Sequence, residues 1–201
     1  MFKKFAAEAL GLSDIGIIVP PSDYDKVDAD DYLFHEDHER IFFLIKSKKD
    51  EYCFTNLAFI HVDGESAVSS KRSIRRYPWS TSLVQHVAIE TAGTIDLDVE
   101  LKFHIGEQRL SIDVRKNFIE ALKDIYKALT SIGHQQARET TARQNALHCA
   151  QIIGSMFKLN TGDTDTVTRQ YHSLVDAVNH SVLDKHLTRD FGSTFEKYIK
   201  A

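Results

Sequence analysis

The sequence predicts a mainly β domain of antiparallel strands, closed by a helix and followed by a helical hairpin. Three observations carry that reading. Every odd position from 95 to 105 is apolar (Ile95, Leu97, Val99, Leu101, Phe103, Ile105), alternating with Asp96, Asp98, Glu100, Lys102 and His104. This is the period-2 pattern of a strand with one face in a core and one in water. A turn at Gly106, Glu107 and Gln108 leads into a second alternating run, Leu110, Ile112 and Val114, and then into an amphipathic helix. Beyond residue 134 the strand pattern stops and apolar residues recur at helical spacing.

The elements follow in order. Phe2, Phe5, Ala6, Ala9 and Leu10 share one face of a short helix over 2–10, which docks on its own domain or on a neighbouring subunit. Pro20 and Pro21 break the chain. Strand 41–45 is apolar on both faces, so it is central or covered on its second side. Strands 52–55 and 57–62 follow, then the Asp63-Gly64 turn, strands 72–77 and 83–89, and the long strand and its partner. Seven strands joined by short turns favour antiparallel pairing in a sandwich or partly open barrel. Asn117 and Glu120 read as a capping box for a helix carrying Phe118, Leu122, Ile125, Tyr126 and Leu129 on one stripe, with Gly133 as its stop.

The rest is a helical extension. A helix from about 135 to 158 aligns Ala142, Ala146, Cys149, Ala150, Ile153, Met156 and Phe157. A turn at 160–163 caps a second helix with Val167, Tyr171, Leu174, Val175, Val178, Val182 and Leu183. Phe191, Phe195, Tyr198 and Ile199 mark a third short piece. The boundary is placed at 1–132 for the β domain and 133–201 for the extension. Two helices alone make a thin core, so they pack on the β domain or on other copies. A homo-oligomer interface is expected at Ile153, Met156, Phe157, Tyr171, Leu174 and Val178.

Composition narrows the function classes. With 201 residues the chain makes one good-sized domain or two small ones, and 42% hydrophobic with 27% charged residues is ordinary for a soluble globular protein. A net charge of −4 argues against nucleic acid, which needs a basic face. Residues 131–201 hold 8 Lys+Arg and 7 Asp+Glu, and residues 1–130 hold 17 and 22. Much of that acidity lies in 23–39, which reads as a solvated loop. Cys53 and Cys149 lack metal or redox spacing and read as reduced, mostly buried thiols. The N-terminus is too short and interrupted for a signal peptide, and no window approaches the ~18 apolar residues of a membrane span. A soluble, cytoplasmic protein is expected.

Two segments resemble a known family. Residues 70–80, SKRSIRRYPWS, followed by residues 90–102, ETAGTIDLDVELK, are similar to bacterial pleckstrin-homology (PH-like) proteins. In these a tyrosine–proline turn strand precedes an E-T-A-G-x-x-D-L-D-x-E-L-K strand. The resemblance covers about 20–130. It implies a PH-like seven-stranded antiparallel β-sandwich or partly open barrel with a C-terminal capping helix, no enzyme activity, and assembly into homo-oligomeric rings. It does not carry a lipid site. Lys46, Lys48 and Lys49 occupy the loop where phosphoinositide-binding relatives place a basic signature, but Asp50 and Glu51 stand beside them. The arginine completing that signature has no match.

Local motifs for chemistry are sparse. No phosphate-binding glycine loop, H-E-x-x-H or G-x-S-x-G occurs. His35 and His38, within His-Glu-Asp-His-Glu, are the best metal candidates, but an extended stretch points them to opposite faces, so an exposed acidic loop is preferred. Lys71, Arg72, Arg75 and Arg76 form the densest basic cluster, read either as a patch for an anion or acidic partner or as a charged edge strand that discourages aggregation. Trp79 reads as core. No cofactor is expected. The reading is a non-enzymatic scaffold that self-associates and mediates protein–protein interaction. The alternatives are peripheral binding to anionic lipid through the basic residues, or a small metal-dependent enzyme whose site is assembled from distant residues.

Overall fold

Alternating residues pair into two antiparallel sheets in the computed structural model, which describes residues 13–64, 72–91, 98–156, 163–180 and 186–199. The helix expected over 2–10, and Lys71, Ile95, Leu97, Phe157, Val182 and Leu183, lie outside the described residues. One sheet runs in sequence order through β1 (Ile17–Ile18), β2 (Ile41–Lys46), β3 (Glu51–Thr55), β4 (Ala58–Gly64) and β5 (Arg72–Pro78). The other holds β6 (Val84–Thr91), β7 (Asp98–Ile105) and β8 (Gln108–Arg115). Along β7 the side chains of Val99, Leu101, Phe103 and Ile105 are buried while Asp98, Glu100, Lys102 and His104 are half-buried, as the alternation requires. Gly106 closes the β7–β8 hairpin at φ 56°, the first-position glycine of a two-residue II′ turn.

The strand count from sequence lacks β1, two residues long, within the short apolar run Ile15, Ile17, Ile18 and Val19. Its neighbour Gly16 donates to the Asp113 carbonyl (2.7 Å) and accepts from Arg115 N (3.0 Å), so this segment links the two sheets at one corner. No pairing joins β5 to β6 among the described residues, and the barrel is not closed.

Two apolar clusters flank the first sheet. Phe43, Ile45, Phe54 and Phe59 face the second sheet, and Leu122, Ile125, Leu129 and Ile132 of α1 (Ile119–Met156) complete that core. Leu44, Cys53, Ile60 and Val62 face the other way and meet Val27, Ala29 and Leu33. The acidic stretch is therefore not a solvated loop. Its three 3-10 turns (Pro21–Lys26, Asp28–Tyr32, His35–Asp37) lay apolar residues over the outer face of the sheet. Two buried carboxylates fasten it: Glu51 accepts from Ala29 N (2.7 Å) and Asp28 N (3.2 Å), and Glu39 accepts from Phe34 N (2.8 Å).

A 3-10 turn, Lys116–Phe118, leads into α1, which starts at Ile119 rather than at Asn117 and does not end at Gly133. A Cβ at Gly133 would stand 2.5 Å from the Val84 carbonyl oxygen. Glycine is there to let the helix approach β6, not to stop it. Helix propensity alone makes Gly133→Ala stabilising by about 1 kcal/mol. Overpacking against a backbone atom costs about 1–3 kcal/mol. A net loss of stability in urea titration is the expected result, and a gain would remove the close-approach role.

Two compact units divide the chain: Met1–Gly133 with Arg189–Ala201, and His134–Thr188. The third helical piece thus does not group with the extension. Phe191 and Phe195, at the start of and within α3 (Gly192–Tyr198), are 1% and 0% exposed in the main core. Asn56 holds this return, accepting at its backbone carbonyl from Phe191 N (2.9 Å) and donating through Nδ2 to Asp190 (2.8 Å). In the second unit, α1 continues to Met156 and α2 (Thr164–Asn179) begins at Asp163, whose carboxylate accepts from Thr166 N (2.8 Å) as an N-cap.

Candidate functional site

The basic cluster sits on β5, the edge strand of the five-stranded sheet, and each described arginine has an acid of its own domain. Arg72 Nε donates to Asp28 (3.3 Å), Arg75 lies 3.6 Å from Asp63, and Arg76 reaches Glu39 at 2.8 Å. The Glu39 side chain is fully inaccessible; the same oxygen accepts from Thr55 Oγ1 (2.5 Å). The Arg76 guanidinium lies 4.3 Å over the Phe34 ring. Lys46 is likewise paired with buried Glu51. Arg72 and Arg76 thus neutralise acids of the covering segment and fasten it to the sheet, while Arg75 and Lys46 pair with acids of the sheet itself.

His35 and His38 fall in a tight turn, not an extended stretch. His38 has φ 58°, its N–H bonds the His35 carbonyl (3.0 Å), and His35 lies 3.7 Å from Asp30. Among the described residues no group of three or more His, Cys, Asp or Glu side chains could hold a metal. Trp79 is buried and donates to the Thr55 carbonyl (2.9 Å). Cys53 is buried, and desolvation, with Glu51 next, pushes its thiol well above the usual range. Cys149 is exposed, contrary to the expectation of burial.

An apolar concavity of the first unit was not legible in the sequence. A cleft of about 760 Å³ is lined by Ile18, Pro20, Pro21, Tyr24, Phe42, Phe118 and Ile199, with Arg40, Asp124 and Glu196 as its charged members. Arg40 pairs with Glu196 and lies 4.7 Å over the Phe42 ring. The Tyr24 hydroxyl donates to the Phe42 carbonyl (3.4 Å), and burial, with Cys53 next, pushes its phenol above the usual range. An apolar concavity with few polar groups is the usual form of a binding site. Four chain segments, distant in sequence, build it, so no local spacing signals it.

In the second unit, α2 buries none of its residues. Tyr171 is 61% exposed, and Leu174 and Val178 are half-buried. On α1, Leu147 and Ile152 are exposed as well. Among the described residues the α2 stripe is therefore only partly covered, with Tyr171 its most open member. Among the described residues no helix is long and apolar enough to cross a membrane.

Residues 9–132 match the family model described as bacterial PH domain. The chain belongs to the bacterial PH domain family. This PH domain and its extension are 50% identical to the uncharacterised protein YvbH of Bacillus subtilis (strain 168), over 99% of both chains. A PH-domain-containing protein from Exiguobacterium sibiricum 255-15, known from a crystal structure, is 44% identical with a TM-score of 0.82, covering 92% of this chain and 100% of that one. A DUF1696-family protein with a PH domain from Shewanella loihica PV-4 is 24% identical over 59% of this chain and 97% of its own, with a TM-score of 0.47. The helical extension of this PH domain is thus part of what the Bacillus and Exiguobacterium proteins share with it.

Proposed function

We propose that this bacterial PH domain is a non-catalytic scaffold that self-associates through its second unit and offers the first unit to a protein partner. The observation that carries it is the amphipathic helix α2 with no buried residue, its stripe leaving Tyr171 exposed and Leu174 and Val178 half-buried. Apolar stripes of this kind are covered in stable proteins by another surface. A second copy suits the charge: His134–Thr188 holds five Lys+Arg and five Asp+Glu, so two copies meet without net repulsion. The 760 Å³ cleft supports a partner site on the first unit.

Anionic-lipid binding is the weaker reading, because Arg72, Arg75, Arg76 and Lys46 are each engaged with a carboxylate of their own domain. Light scattering on the full chain at micromolar concentration is expected to give a multiple of the 22.9 kDa chain mass. Tyr171→Asp with Leu174→Asp removes two apolar contacts worth about 1.5–3 kcal/mol each, so association weakens by at least about a hundredfold. The far-ultraviolet circular dichroism of the first unit is unaffected. A monomeric full chain would overturn the proposal.

A further inference from the structure

We infer that the outer face of the three-stranded sheet carries a binding site for a small free oxyanion, built by His86, His104 and Arg109. These residues come from three adjacent strands. Gln85 pairs with His104 and Ala88 with Lys102, so β6 carries one extra residue there. His86 lies in that bulge at φ 53°. The left-handed region is uncommon for a residue other than glycine, and such strain persists where the surroundings impose it, often at functional sites. A bulge also re-aims a side chain, and here the His86 and His104 rings stand 4.7 Å apart, edge to face. Arg109 is directly opposite His104 in the β7–β8 register. A hollow of about 350 Å³ is lined by these three with Glu90, Lys102 and Ser111, and Lys102 pairs with Glu90 there.

The charge environment selects the ligand. Arg109 is exposed and has no ion pair among the described residues, unlike Arg72, Arg75 and Arg76. A guanidinium and two imidazoles supply N–H donors for an oxyanion, and the fixed guanidinium charge opposes a divalent cation between the imidazoles. From Glu90 at the edge of the hollow, a row of Glu90, Glu100 and Asp113 runs across the three strands, with Lys102 bound to the two glutamates. That acidic row repels an anionic membrane surface, which favours a small free ion.

The charged or titratable groups around the site are His86 and Glu90 on β6, Glu100, Lys102 and His104 on β7, Glu107 in the turn, and Arg109 and Asp113 on β8. Desolvation first, then His86 and Arg109, hold the His104 imidazole below its usual range. A bound anion favours the protonated ring, so affinity rises as pH falls.

The test titrates inorganic phosphate into the full chain, following the histidine ring resonances by NMR at constant ionic strength held with chloride. Saturable shifts at His86 and His104 are expected, about tenfold tighter near about pH 5.5 than near about pH 8. Arg109→Gln is expected to weaken binding by about tenfold or more. His86→Asn, which tolerates the same backbone conformation, weakens it and lowers the pH dependence. Vesicles of anionic lipid are expected not to bind. Shifts reproduced by chloride alone, a response unchanged in Arg109→Gln, or vesicle binding lost in that variant would each overturn the inference.

Discussion

Ending the chain at Thr188 is expected to unfold the first unit, although the cut lies 55 residues beyond its Gly133 boundary. Phe191 and Phe195 belong to the core that the two sheets and α1 enclose. Phe195 stacks on Phe42 with centroids 5.3 Å apart and meets Trp79 at 6.0 Å. Phe→Ala in a core costs about 3–5 kcal/mol. Losing both rings approaches the whole stability of a typical domain, about 5–15 kcal/mol, and Asn56 loses Asp190 while Phe42 loses the ring stacked on it. Thermal melts should show no cooperative transition for the truncated chain. Phe195→Ala alone should lower the urea midpoint by an amount equivalent to about 3–5 kcal/mol with the slope unchanged. A truncated chain that melts at the full-length temperature would reduce α3 to a passive cover.

Arg76→Ala is expected to destabilise the first unit by about 3–5 kcal/mol, because it leaves the inaccessible Glu39 carboxylate without its cation. Glu39→Ala should cost a similar amount, since it strands the Arg76 guanidinium and Phe34 N together. The double variant should cost less than the sum by about 1–3 kcal/mol, the coupling of a shared network. Additive losses would show that the two residues act independently. Arg75 is the control: its side chain is 49% exposed and 3.6 Å from Asp63, and its replacement by alanine should stay within about 0.5 kcal/mol. Charge reversal at Arg76 therefore reports on folding, and among the described residues of the cluster Arg75 is the one that tests an electrostatic partner without that confusion.

Neutralisation of the basic cluster was beyond sequence reasoning because its acids come from Asp28, Glu39 and Asp63. Two of these lie in the stretch that composition marks as solvated. In that stretch Val27, Ala29 and Leu33 were the available signal, a sparse apolar pattern outweighed by the charges around it. The bulge at His86 left no mark either, since one extra residue only interrupts an alternation that Val84 and Ile89 still bracket.

Elements whose cause is local are legible in the residues alone. The β7 alternation, the Gly106 turn, the Asp163 cap and the α1 stripe each depend on neighbours within a few residues, and the 70–80 and 90–102 segments carried the family. Roles that depend on distant backbone emerge in the folded chain. Gly133 has the local character of a helix stop, yet its role comes from a carbonyl 49 positions earlier, at Val84. Phe191 and Phe195 have the pattern of one more tail helix, yet the main core buries them. Burial and close approach are properties of what the fold brings alongside a residue, and no window along the chain contains that neighbour.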